Sequence, residues 1–398
     1  MTLFGTPEAP AREGVDLKLT AVGGCGLALL DRLRGTLGEG VGTVAIDTDK
    51  SSLTETEAES RLLLGEEITE GYGTGGDERL ASRALGGRNV EVRELLGGAR
   101  ANLLIGGLGG GTATALLPEL ARISRAAGVL TLIVATRPFQ YEGLAKTVTA
   151  KRKMHSLVRS ADCVFLLNND LVAGEGAGKL SASEAVRRSD AAALETISGL
   201  MEFLLPRKRL LLDFGIVKSQ LTRGGLAAHA SGMSAMRNNA IEALKAAIEQ
   251  FAHRKSDITK APRALIQFAI DDDVLMDGVR NAFGVAQRIF SKDAQLAMGV
   301  VFNGVKQGKT RVGVVASGLP LFNEVVELDF AQKQFEAAEL SAERRPTSAS
   351  RAASLAGGRA RMPHRDSLKV LNPRPLSDEE LKIPAYLRRR MTAARRRA

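Results

Sequence analysis

The sequence predicts an α/β protein built on a parallel sheet, and two patterns carry that expectation. Short apolar runs alternate with helix-like stretches rich in Ala, Arg and Glu, and one long helical pattern separates this first half from a second set of alternating elements. Strands are expected over 17–22, 43–46, 103–105, 128–135 and 162–167. Near-continuous runs of Val, Ile and Leu suit strands covered by helices on both faces. Residues 181–205 lack proline, contain glycine only at Gly199, and set Ala185, Ala192, Ile197, Leu200 and Leu204 at helical spacing. That spacing predicts a long, largely buried helix. Beyond it, strands over 209–213, 264–270, 297–302 and 310–316, with helices near 234–252 and 275–290, predict a second, smaller α/β unit.

At roughly 100 to 200 residues per domain, a chain of 398 residues has room for two domains and appendages. Its 44% of hydrophobic residues can fill a sizeable core. No stretch reaches the roughly 20 consecutive apolar residues that span a bilayer, and the first residues lack a basic start followed by an apolar block. A soluble, cytoplasmic protein is therefore expected. Two cysteines, Cys25 and Cys163, supply neither a disulfide framework nor a four-ligand metal site, and no metal-ligating set is expected.

The net charge of +10 is localised. Residues 341–398 hold 15 Lys plus Arg against 5 Asp plus Glu, so the other 340 residues carry 40 of each sign and balance. A basic tail on a neutral globule argues against nucleic acid as the main partner. From about residue 336, Ser, Ala, Arg and Pro dominate and large apolar residues are sparse. Such a composition cannot offset the entropy of ordering, so 334–376 is expected to be a disordered linker. At its end, residues 378–390 gather Leu381, Ile383, Tyr386 and Leu387 between charges, the pattern of a partner-docking peptide. Six arginines within Arg388–Arg397 would hold an anionic membrane surface, bind nucleic acid nonspecifically or remain simply solvated.

Three glycine-rich segments carry the chemistry. Val22-Gly-Gly-Cys-Gly-Leu-Ala28 sits where the first strand would turn into a helix, and the exposed amides of such a turn suit a phosphate. The same segment fits a tight structural turn, and it does not meet the G-x-G-x-x-G dinucleotide spacing. Gly106-Gly-Leu-Gly-Gly-Gly-Thr-Ala-Thr-Ala115 places five glycines within six residues ahead of two hydroxyls. A turn needs one or two glycines, and a loop this rich in amides and hydroxyls suits di- or triphosphate oxygens. It lacks the lysine of a Walker loop. Gly71-Tyr-Gly-Thr-Gly-Gly-Asp77 adds flexible backbone that could close over a terminal phosphate.

Together with Ile46-Asp-Thr-Asp49, Thr136-Arg-Pro-Phe-Gln-Tyr-Glu-Gly143 and Asn168-Asn-Asp170, these segments resemble the tubulin and FtsZ family of self-assembling GTPases. The likeness runs from about residue 16 to 333, and Ile383-Pro-Ala-Tyr-Leu-Arg388 resembles the carboxy-terminal peptide of bacterial FtsZ, through which that protein docks on other division proteins. The resemblance implies an arm over 1–15, a Rossmann-like GTP-binding domain over 16–180, the central helix over 181–205, a second domain over 206–333, the linker over 334–376 and the peptide with its basic tail over 377–398. It implies GTP or GDP as ligand, with Mg2+ left open, and head-to-tail self-assembly at a mid-cell division ring. Gly24, Cys25, Gly26, Gly110, Gly111, Thr112 and Thr114 would hold phosphates, Glu142 the ribose, and Asn169 and Asp190 fall near the positions that read the guanine. Gly23, Leu27, Ala28, Asp47, Thr48, Gly73, Thr74, Gly75, Gly109 and Ala113 complete the implied pocket, and Lys146 stands where the family usually has Arg.

The departures bear on turnover. Ala113 and Ala115 replace two loop glycines. Where the family has N-x-D-x-x-D, this chain reads Leu211-Leu-Asp-Phe-Gly-Ile216, leaving Asp213 as the one catalytic candidate. In FtsZ that loop enters the pocket of the next subunit and its carboxylates position the attacking water. Leu and Ile can do neither. The expectation is a GTP-binding filament former with weakened hydrolysis. The alternatives are a non-hydrolysing regulator that copolymerises with an active homologue and, less favoured by the glycine spacing, a Rossmann-type oxidoreductase.

Overall fold

The computed structural model describes residues 16–320, except 174–179, 206–208, 235–238, 255, 272–275 and 303–308. The expected arm (1–15), linker (334–376) and terminal peptide (377–398) lie outside the described residues.

The first half winds as β1 (Leu17–Val22), α1 (Gly23–Leu33), β2 (Val41–Asp47), α2 (Lys50–Glu55), β3 (Ser60–Leu63), α3 (Glu66–Thr69), α4 (Glu78–Leu85), α5 (Asn89–Leu96), β4 (Ala101–Gly107), α6 (Thr112–Ala126), β5 (Leu130–Arg137), α7 (Leu144–Ser160), β6 (Cys163–Asn168) and α8 (Asn169–Ala173). Its strands pair in parallel in the order β3-β2-β1-β4-β5-β6. Every residue of β2 is buried, as are Ala101–Gly106 of β4, which is why these strands read as unbroken apolar runs instead of alternating ones. One face packs on α1 and the long helix α9 (Ala182–Leu204); the other packs on α4, α5 and α6. Ser181 caps α9 by accepting from the Glu184 amide (3.2 Å).

After α9 come β7 (Arg209–Leu210), α10 (Phe214–Leu221), β8 (Gly225–Met233), α11 (Ala240–His253), β9 (Arg263–Ile270), α12 (Met276–Ile289), β10 (Gln295–Phe302) and β11 (Thr310–Leu319). These build a core of their own around Phe251, Phe268, Val312 and Val314. They also extend the same sheet: β8 pairs with β6 in parallel over three residues and with β11 antiparallel, so the eleven described strands form one mixed sheet.

Two elements differ from the sequence expectation for physical reasons. The strand expected over 209–213 ends at Leu210 because Asp213 caps α10, its carboxylate accepting from the Ile216 amide (2.8 Å). The helix expected from 234 begins at Ala240, behind the Asn239 cap. β8, Gly-Leu-Ala-Ala-His-Ala-Ser-Gly-Met, was not anticipated. It has no β-branched residue, and pairing with β11 along nearly its whole length overrides its weak strand propensity.

Candidate functional site

The carboxyl ends of β1 and β4 lie side by side, and each feeds directly into a helix. Neither α1 nor α6 has a side-chain N-cap, and neither carries an acidic residue in its first turn. Both present unsatisfied amides and the positive end of a helix dipole to the same space, an arrangement that favours anions. Close approach of the elements depends on glycine. A Cβ on Gly26 would stand 2.5 Å from the Ile105 carbonyl oxygen, so α1 could not lie as near to β4 with any other residue. A Cβ on Gly111 would stand 2.2 Å from the Thr74 hydroxyl, which ties the third glycine segment to the second.

The space so framed is a pocket of about 400 Å³. It is lined by Gly23, Gly24, Cys25, Asp47, Gly73, Thr74, Gly75, Gly110, Gly111, Thr112, Ala113, Glu142, Lys146 and Asn169, so residues named from all the segments meet at one place. At its lip Lys146 pairs with Glu142 (2.9 Å), whose other oxygen accepts from the Phe139 amide (2.9 Å). Asn169 is held by Ser189 of α9, whose hydroxyl donates to its Oδ1 (2.7 Å). Asp47 is buried and accepts from the Thr48 amide (2.7 Å); burial pushes its carboxyl above the usual range. Cys25 stands exposed on the pocket wall, its Sγ 3.6 Å from the Thr136 hydroxyl.

Other sequence-predicted residues are not part of the lining. Leu27 and Gly26 are buried where α1 meets the sheet, and Ala28, the next residue of α1, is absent from the pocket wall. Thr114 accepts from the Gly109 amide (2.9 Å) and shapes the loop from within. Thr48 bonds the Thr112 hydroxyl (2.8 Å). Asp190 is engaged by Arg32 of α1. The lining also includes Asp49, Ser52, Tyr72, Gly76, Gly107, Leu108, Thr136 and Pro138. Asp49, Tyr72, Thr136 and Pro138 fall inside the quoted segments, whereas nothing in the sequence singled out Ser52. Among the described residues no three His, Cys, Asp or Glu side chains gather as a metal-ligating group.

Asp213 lies elsewhere. Its neighbour Phe214 is covered by the Arg100 guanidinium at 4.1 Å, and Arg100 immediately precedes β4. The pocket begins where β4 ends, seven residues later, or about 20 Å away at ~3.3 Å per residue. The Asp213 loop and the pocket therefore occupy opposite ends of the sheet. Leu211 is exposed and left-handed (φ 67°), a conformation that costs a leucine roughly 1 kcal/mol.

Comparison with known proteins fits this geometry. A family model described as the tubulin/FtsZ family GTPase domain matches residues 16–174. "Cell division protein FtsZ 1" of Pyrococcus furiosus is 30% identical over 301 residues, covering 76% of this chain and 80% of the relative. The chain belongs to the tubulin/FtsZ family. The FtsZ 1 of Pyrococcus horikoshii is 29% identical over 303 residues, covering 76% and 81%. Among solved structures, an empty FtsZ dimer of M. jannaschii superposes with a TM-score of 0.69 at 27% identity, covering 76% of this chain and 88% of that one. A GTPγS-bound protofilament of CetZ2 from Haloferax volcanii gives 0.67 at 25% identity, covering 81% and 99%. The fold is that of tubulin/FtsZ proteins, and among the described residues no helix is long and apolar enough to cross a membrane.

Proposed function

We propose that the chain binds GTP and GDP in the glycine-lined pocket, stacks head to tail with copies of itself in a cell-division filament, and hydrolyses GTP slowly. The observation that carries the reading is the pair of uncapped helix N-termini, α1 and α6, converging on one pocket with the loops at 73–76 and 107–111. Amides there would grip phosphate oxygens, Glu142 would accept from the ribose, and Asn169 would read the base. Mg2+ would be held largely by the phosphates and water, as that ion usually is.

Slow turnover follows from the opposite end. In-line attack needs an oriented water, and positioning supplies most of the rate of phosphoryl transfer. Across a head-to-tail contact this chain would offer Leu211, Asp213 and Ile216, of which only Asp213 can accept a proton, and its carboxylate already caps α10. Losing one general acid or base typically costs about 10²- to 10⁴-fold. The mid-cell ring, the partners of the 378–390 peptide and the hold of the arginine-rich end on an anionic membrane belong to the same reading.

Sedimentation with GTP, GDP and a nonhydrolysable analogue, with phosphate measured in the same tube, tests it. Pelleting with GTP and with the analogue at similar yield, alongside little released phosphate, is expected. The double substitution Leu211→Asn with Ile216→Asp should then raise phosphate release. Brisk turnover by the unmodified chain would refute the slow-hydrolysis reading, and pelleting only in mixture with an active homologue would favour the regulator.

A further inference from the structure

The charges of the first half are sorted onto two surfaces of opposite sign. α6 and α7 pack side by side on one face of the sheet, Arg122 of α6 donating to the Ser156 hydroxyl (3.3 Å) and Arg125 to the carbonyls of Arg159 and Ser160 at the end of α7 (each 3.3 Å). Together the two helices carry seven Lys and Arg against one carboxylate, Glu119, and α7 itself has none. Glu78 of α4 supplies one more, shared between Arg152 (2.5 Å) and Lys153 (3.0 Å). Arg125 serves the fold by capping α7. Arg159 is exposed and, among the described residues, pairs with no carboxylate.

The β3 edge of the sheet is acidic. Residues 50–70, which form α2, β3 and α3, hold six Glu against Lys50 and Arg61, a net of −4. Lys50 pairs with Glu66 (2.7 Å), and Arg34, just after α1, pairs with Glu57. Glu55, Glu59, Glu67 and Glu70 are exposed and have no cation paired with them among the described residues. β3 and β5, the strand that leads into α7, stand four positions apart in the sheet, about 19 Å at ~4.8 Å per strand and roughly twice the Debye length at physiological salt. The two surfaces therefore do not neutralise one another within a copy. A bilayer or a nucleic acid would match the basic face and be repelled by the acidic edge, whereas a second copy matches both.

We propose that the α6–α7 face of one copy docks against the β3 edge of a second copy. The contact joins copies by their flanks and leaves both ends of the sheet free for the proposed head-to-tail stacking, on which it does not depend. Because the surfaces are unlike, one copy can dock at both, and association is open-ended instead of stopping at a dimer. Exposed ion pairs contribute little each, so the contact is weak, sensitive to salt and selective through its pattern of charge.

Sedimentation velocity of the full chain without nucleotide, at about 50 mM and about 300 mM salt, provides the test, since the Debye length more than halves between the two. Concentration-dependent association at the lower salt, lost at the higher, is expected. Arg122→Glu with Arg159→Glu, and separately Glu55→Lys with Glu59→Lys, change only exposed side chains. Either pair should abolish the association, and an equimolar mixture of the two variants should restore it, because each reversed surface then meets its complement. The neutral pair Arg122→Gln with Arg159→Gln should weaken it by about tenfold, the worth of two exposed ion pairs. No association at the lower salt, association that survives in either reversed variant, or a mixture of folded variants that stays monomeric would overturn the proposal. Loss in the edge variant alone would assign the acidic edge to the arginine-rich end of the chain. Binding of phosphatidylglycerol vesicles or duplex DNA that disappears in the face variant, with sedimentation unchanged, would assign the basic face to an anionic surface. Both of these outcomes contradict it.

Discussion

At the residue scale, two side chains sit where their type is at odds with their surroundings. Leu211 holds a left-handed backbone that Asn, but not Leu, adopts readily, which supplies a physical reason for the asparagine of the N-x-D-x-x-D pattern independent of catalysis. Leu211→Asn should therefore stabilise the fold by about 0.5–1 kcal/mol and raise the melting temperature by about 2 °C. A lowered melting temperature would show that leucine contributes packing there. His229 is the second. Buried and neutral, its folded pKa of about 3 lies below the unfolded value near 6.5, so the unfolded chain binds the extra proton. Its contribution to stability is complete above pH 6.5 and is lost as pH falls from 6.5 toward 3, with a slope approaching 1.4 kcal/mol per pH unit. Denaturant titrations between pH 7 and pH 4 should show a shallower loss in His229→Leu than in the unmodified chain, and parallel curves would rule this out.

At the scale of elements, the glycine-lined pocket was legible because its requirements are written in residues that do little else. Five glycines in six, or an Asp-Thr-Asp after a strand, mark backbone approach and capping directly. The elements that escaped notice owe their form to neighbours. β8 is alanine- and glycine-rich and becomes a strand through β11, and α10 starts behind Asp213, whose carboxylate takes up the Ile216 amide. The α1–β4 contact makes the point testable. Gly26→Ala forces a methyl against the Ile105 carbonyl, so a loss of about 1–3 kcal/mol in stability, together with weaker nucleotide binding as α1 moves outward, is expected from melting and titration of the same sample. Unchanged values for both would show that the helix start adapts freely.

At the scale of the whole molecule, a pocket at the carboxyl ends of the strands and a loop at their amino ends cannot meet within one copy. They meet only if copies stack by joining unlike ends, the heterologous contact that generates open filaments. The proposed assembly, slow turnover and ligand choice all depend on what the pocket between α1 and α6 holds. Calorimetric titration of the purified chain with GDP and GTP, with NAD as control, decides this. Saturable binding of one guanine nucleotide per chain and no heat from NAD is the expected outcome; affinity for NAD, or none for either guanine nucleotide, would contradict it.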